Sequence, residues 1–135
     1  MLYWPIHFYD STLLVDPTIA PQLPFFTDLE FHFFPAVLML IDTLFFSPPW
    51  ETSALLPLLS FSLLAGGYWM WVEHCFLRNN FYPYPLLGIL THEQRIVLFA
   101  LATLLCWMTF LIVRGLYRLF NGHIDAKIAQ AKKQL

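Results

Sequence analysis

Apolar residues fall into three long blocks along this chain, separated by polar or proline-rich stretches. The first block runs from about Phe31 to Phe46 and is apolar apart from His32 at its start and Asp42 inside it. Ser47-Pro48-Pro49-Trp50-Glu51 is expected to stop it, because proline cannot continue a helix. The second block runs from about Thr52 to Leu77, with 21 uncharged residues from Thr52 to Val72. That meets the length of about 20 residues needed to cross bilayer hydrocarbon. Asn79-Asn80-Phe81-Tyr82-Pro83-Tyr84-Pro85 reads as a turn rich in interface aromatics. The third block is uncharged from Ile96 to Val113 and is expected to continue to Phe120, with Asn121-Gly122 ending it. The pattern predicts an all-α integral membrane protein with three transmembrane helices, at about 31–46, 52–77 and 96–120. Helices satisfy every backbone group internally, as a lipid environment demands.

The flanking segments differ from this 30–120 domain. Residues 1–29 are aromatic and proline-rich and carry Asp10, Asp16 and Asp28 without a lysine or arginine. They are expected to lie, non-helical or partly helical, at the membrane surface. The 121–135 tail is polar, with Ile124, Ile128 and Leu135 roughly on one helical face. Lys127, Lys132 and Lys133 stand opposite, suited to mild attraction to anionic lipid. Five of the seven basic residues follow the uncharged run of the third block, which ends at Val113: Arg114, Arg118, Lys127, Lys132 and Lys133. The bias of positive charge toward the cytosol therefore predicts a cytosolic C-terminus and a lumenal or extracellular N-terminal segment. Gly66-Gly67 is expected to permit close helix contact.

Composition agrees with a membrane and removes several functions. Hydrophobic residues make up 59% and charged residues 12%, against about 25% charged in average soluble chains. With a net charge of −2 and no basic stripe, nucleic acid is not an expected partner. Cys75 and Cys106 have no metal-ligand spacing and read as buried free thiols. The N-terminus lacks a basic region, and Pro5, His7 and Asp10 interrupt its apolar run, so no cleavable signal peptide is expected.

Ionisable groups inside a membrane are costly, so each one needs a reason. His32, near the boundary, is a candidate general base because its side chain titrates near neutrality, or else a helix anchor. Asp42 lies ten residues later, about 15 Å along a straight helix, so the two cannot touch there. Asp42 is open to three roles: lining a polar cavity, pairing with another segment, or sitting at the cytosolic boundary. Glu73 and His74 are adjacent and point about 100° apart. A metal site from His32, Glu73 and His74 has no supporting ligand spacing, so neither metal nor cofactor is expected. Ser11, Thr12, Thr18 and Thr27 show no spacing that marks a nucleophile.

Trp4, Ile6, Tyr9-Asp10, His32 and the acid ten residues on, Asp42, form a pattern. It continues through Trp71-Val72, Tyr84-Pro85, Arg95-Ile96 and Phe99. In order and spacing this resembles the androgen-induced and androgen-dependent family of multipass membrane proteins over nearly the whole chain. The resemblance implies a lipid hydrolase. Characterised animal members cleave fatty acid esters of hydroxy fatty acids with a membrane-embedded threonine and a histidine. The histidine falls on His32. The acid is usually glutamate in animal members, and Asp42 keeps the charge with a shorter reach. The family threonine lies on an earlier helix, upstream of the Trp4 match, and none of Thr12, Thr18 or Thr27 matches it. A base without its nucleophile can at most activate water, so the chain as it stands is expected to be inactive or incomplete.

The leading expectation is membership of this family, with His32 as general base, Asp42 supporting it and a lipid ester as substrate. The alternative is a non-enzymatic membrane protein that binds lipids, partner helices or a second copy of itself. A transporter or channel subunit, formed as an oligomer around Asp42, is weaker still. Endoplasmic reticulum or a connected endomembrane is implied by the resemblance. Lys132-Lys133 near the C-terminal end resembles a dilysine retrieval signal in form.

Overall fold

The computed structural model describes residues 3–19, 21, 23–48 and 52–132, with side chains described as far as Gly122. Among them every regular element is helical: α1 (Tyr3–Asp10), α2 (Phe25–His32), α3 (Phe34–Phe45), α4 (Leu55–Asn79), α5 (Pro85–Ile89) and α6 (His92–Lys132), with a 3-10 turn at Ser11–Leu13.

The N-terminal segment is partly helical. Asp10 starts the 3-10 turn by accepting from the Thr12 N–H at 2.9 Å and its hydroxyl at 2.6 Å. Asp16 does the same for Thr18 at 2.8 and 2.6 Å. Such local bonds favour turns over helix. They hold both carboxyls below the usual carboxylate range.

The first apolar block is divided. α2 begins directly after Pro24, with Asp28 in its first turn, and ends at His32. Phe33 caps both α2 and α3, and Pro35 stands at the start of α3. In one continuous helix the Pro35 ring would strike the carbonyl four residues back and leave it unbonded, so the chain breaks at Phe33. α3 closes with the Phe46 and Ser47 N–H groups both donating to the Asp42 carbonyl, at 2.9 and 3.0 Å. Pro49, Trp50 and Glu51 of the expected stop lie outside the described residues.

α4 and α6 form the centre of the molecule. They run antiparallel and are each long and apolar enough to cross a membrane. α3 packs against α6 at the place of the first expected span of this all-α membrane protein. α4 ends at Asn80, which takes the left-handed conformation (φ 51°). Asparagine tolerates that geometry better than most residues.

α6 does not end at Asn121-Gly122 as expected but continues to Lys132. Asn121 donates instead to the Leu44 carbonyl of α3 at 2.7 Å and to the Tyr117 carbonyl at 3.3 Å. Its amide bridges two helices, and Gly122 keeps a negative φ. Nearby, Tyr117 donates to the Ser47 carbonyl at 3.4 Å and Trp107 to the Ala54 carbonyl at 2.9 Å.

The internal core is small: Val72, Tyr82 and Leu87, with Phe76, Leu98 and Phe99 packed against them. Leu59, Leu63, Met70, Leu101, Met108 and Ile112 are exposed on the outer faces of α4 and α6. Such a surface suits lipid rather than water. Two expectations are corrected here. Cys106 is exposed and Cys75 half-buried, so the thiols are free but not both interior. A Cβ added at Gly66 or Gly67 would meet nothing within 4 Å, so neither glycine is needed for a close helix approach, and Gly66 lines an open cleft of about 500 Å³ between α4 and α6.

Candidate functional site

The most buried side chain among the described residues is a carboxylate. Asp28, on α2, is 2% exposed. An isolated buried charge is costly, so its partners matter. The first is His32, one helical turn later, where residues four apart share a face. His32 Nδ1 lies 2.7 Å from Asp28 Oδ1 and 3.2 Å from the Asp28 carbonyl oxygen. Both neighbours are acceptors, so Nδ1 carries a proton, and in the neutral ring the lone pair is on Nε2. The His32 side chain remains 34% exposed, which leaves Nε2 room to meet a reactant.

α1 supplies the rest of the cluster. The Tyr3 hydroxyl donates to the same Asp28 Oδ1 at 2.5 Å. Its ring lies flat on the His32 imidazole, with centroids 3.6 Å apart and planes 5° from parallel. This stack fixes the plane of the imidazole while Asp28 fixes its rotation. Burial, then the bond to Asp28 and its charge, push the Tyr3 hydroxyl up to about 12. His7, on the next turn of α1, sits with Nδ1 3.9 Å from Asp28 Oδ2, an oxygen that has no hydrogen-bond partner.

These groups face a cavity of about 170 Å³ that Ser11 and Tyr84 also line. Beside it lies a second, apolar cavity of about 230 Å³. Tyr3, Leu14 and Tyr84 line both. The arrangement offers an oriented imidazole base and a buried anion, next to a space for hydrocarbon.

The sequence-predicted residues are distributed unevenly around this site. His32 stands at its centre. Asp42 does not: it is exposed on α3, and the acid that reaches His32 is Asp28. Glu73 turns to another cluster, accepting from Arg95 Nε at 2.6 Å and Nη2 at 3.4 Å, and from the Tyr82 hydroxyl at 3.3 Å. His74 lies beside the Trp71 ring. His32, Glu73 and His74 are therefore not gathered around one point. The Thr12 and Thr18 hydroxyls are engaged by their own aspartates. Asp28, Tyr3 and His7 escaped the sequence reading. The four-residue spacing of Asp28 and His32 was a usable signal, whereas nothing local marked Tyr3 or His7.

Comparison with known proteins adds the family. Residues 1–118 match the family described as FAR-17a/AIG1-like protein. A Schizosaccharomyces pombe protein named as a UPF0641 membrane protein is 36% identical over 114 residues, which cover 84% of this chain and 51% of that relative. The chain thus spans about half the length of the curated relative it matches. No solved structure matches the chain. The family match takes in the whole Tyr3–Asp28–His32 cluster and most of the α4–α6 pair, and the chain belongs to the FAR-17a/AIG1-like family of membrane proteins.

Proposed function

We propose that this chain carries the general-base centre of a membrane lipid-ester hydrolase. The observation that supports this most directly is the His32 imidazole, locked through Nδ1 onto the buried Asp28 while its ring lines a cavity. A carboxylate on one ring nitrogen selects the tautomer in which the other is basic, and it stabilises the imidazolium that forms during reaction. Nε2 takes the proton of an attacking water as the new C–O bond forms. The tetrahedral intermediate then expels the alkoxide, which receives that proton, giving a carboxylic acid and an alcohol. Hydrolysis needs no oxidant or cofactor. The resemblance of the sequence points to fatty acid esters of hydroxy fatty acids as the substrate class. It also points to an endomembrane such as the endoplasmic reticulum, and the bias of Lys and Arg toward the C-terminal end favours a cytosolic C-terminus. In this reading Asp28 replaces Asp42 as the acid that supports His32.

The test is hydrolysis of fatty acyl esters by the purified protein in lipid, compared with His32→Ala. A positioned base contributes about 10²- to 10⁴-fold. The variant should lose at least about 100-fold in kcat/KM and keep its helix content. Full activity in His32→Ala refutes the assignment.

The open cleft between α4 and α6, lined in part by Ser62, Gly66 and Thr103, favours a second, non-enzymatic reading. Small and hydroxylated residues are common where membrane helices meet, so the cleft suits a partner helix or lipid. An inactive wild-type protein that co-purifies with stoichiometric lipid or self-associates through this face would favour it.

A further inference from the structure

We propose that the apolar cavity beside His32 is an acyl-chain subsite, and that Ala102 at its deep end limits the chain length it accepts. The proposal rests on the hydrolase reading and deepens it.

Three observations carry it. First, the two cavities have Tyr3, Leu14 and Tyr84 in common, so the apolar space adjoins the one that His32 lines, as the acyl tail of an ester adjoins its carbonyl. Second, their chemistry divides as an ester's does. One holds Asp28, His7, His32 and Ser11, while Ile6, Leu86, Leu98 and Phe99 help to line the other. A binding site for a mainly apolar ligand has this form, with a few polar groups at one end of a hydrophobic space.

The third observation is depth. Tyr84 lies in the α4–α5 connection, where α4 has just ended at Asn79. Ala102 is ten residues beyond the α6 start at His92, about 15 Å along the helix axis. Tyr68 is eleven residues before Asn79 on the antiparallel α4, about 16 Å from the same end. Measured from the apolar runs themselves, Ala102 is six residues past Ile96 and Tyr68 nine before Leu77, roughly 9 and 14 Å deep, so the cavity runs from the end of the helix pair into one leaflet of a hydrocarbon layer about 30 Å thick. A lipid acyl chain in one leaflet has that course, ester at the surface and tail toward the midplane. A short water-soluble ester would leave the Tyr68–Ala102 end empty.

Ala102 presents only a methyl group there, so a larger side chain shortens the space. Each methylene denied burial costs roughly fourfold in affinity. The experiment is displacement of a fluorescent polyene fatty acid by octanoate and by palmitate, in detergent micelles with empty micelles subtracted. Hydrolysis of octanoyl and palmitoyl esters is followed in parallel. Wild-type protein should favour palmitate. Ala102→Phe should lower the palmitate-to-octanoate ratio at least about tenfold, and Ala102→Leu, the gentler addition should Phe fail to fold, by less. His32→Ala should abolish hydrolysis and keep the wild-type ratio. A ratio that stays within twofold in both Ala102 variants overturns the subsite, even if His32-dependent hydrolysis is present. A ratio that shifts as expected, in a protein that hydrolyses no ester, upholds the subsite and removes the hydrolase reading.

Discussion

Removing the Asp28 carboxylate should both destabilise the protein and release its histidine. In Asp28→Ala two bonds disappear, from the Tyr3 hydroxyl at 2.5 Å and from His32 Nδ1 at 2.7 Å. Hydrogen bonds to a charged group each contribute about 1.5–3 kcal/mol. His32 is 34% exposed, so water can replace part of its bond and the lower end applies. The pair then amounts to about 3 kcal/mol. Asp28→Asn is the informative control. Its amide oxygen can still accept from both donors, and its NH₂ takes the place of the unpartnered Oδ2. Only the charge is lost, and roughly half of the stabilisation should survive, since neutral hydrogen bonds are about half as strong.

The assay is thermal unfolding in detergent together with ¹⁵N spectra of the histidine ring nitrogens. At about 4 °C per kcal/mol for a chain of this size, the alanine variant should melt about 12 °C below wild type and the asparagine variant about 6 °C below. In wild-type protein His32 should show a protonated Nδ1 and a bare Nε2. The alanine variant should show a mixture of the two tautomers. If its melting temperature falls by less than 2 °C and the ¹⁵N pattern is unchanged, Asp28 neither stabilises the cluster nor orients the base, and the reasoning fails.

Two further outcomes follow from the same principles. Arg95, 13% exposed, is paired with Glu73, 20% exposed, and also donates to the Leu87 carbonyl at 3.1 Å and the Leu90 carbonyl at 2.5 Å. Glu73→Gln should cost about 3 kcal/mol, because it leaves a half-hidden guanidinium without its anion. Adding Arg95→Met should recover part of that loss, and strictly additive melting shifts would show that the two are not coupled. For Tyr3, the folded protein holds the hydroxyl at about 12 against an ordinary 10.0. The sign is that of a raised group: its stabilisation is complete below pH 10 and is lost as pH rises toward 12. Absorbance titration at 295 nm should therefore lose one late-ionising tyrosine in Tyr3→Phe; a loss confined to the tyrosines that ionise near pH 10 would place Tyr3 in water.

The helical membrane architecture was legible because the apolar runs are long and nearly free of charge, and that property does not depend on how the helices pack. His32 stood out for the same reason, as an ionisable group where few are tolerated, and the structure places it beside a buried carboxylate. Its partner was hidden by one misplaced boundary. With the first helix expected to start near Phe31, Asp28 fell in a surface segment, and its four-residue spacing to His32 carried no meaning. The start after Pro24 and the break before Pro35 place both on one short helix. Asn121-Gly122 misled in the opposite direction. A polar residue followed by glycine normally stops a helix, but here the Asn121 amide has a carbonyl of α3 to bond, and the helix runs on.

Tyr3 and His7 belong to a different category, since only the docking of α1 against α2 brings them to Asp28. That docking also bears on how a carboxylate survives almost wholly buried. Four groups contribute, namely the Tyr3 hydroxyl, His32 Nδ1, the α2 N-terminal turn and, at 3.9 Å, His7. The helix N-terminus favours a negative charge near its first turn, and the two donors satisfy one oxygen. The other oxygen is left with a histidine just beyond bonding distance. An arrangement selected for stability alone would do better with an apolar residue at this position. In the hydrolase reading proposed above, a charged, partly unsatisfied group against an exposed imidazole has a physical reason, because the buried anion would stabilise the imidazolium formed as His32 takes a proton.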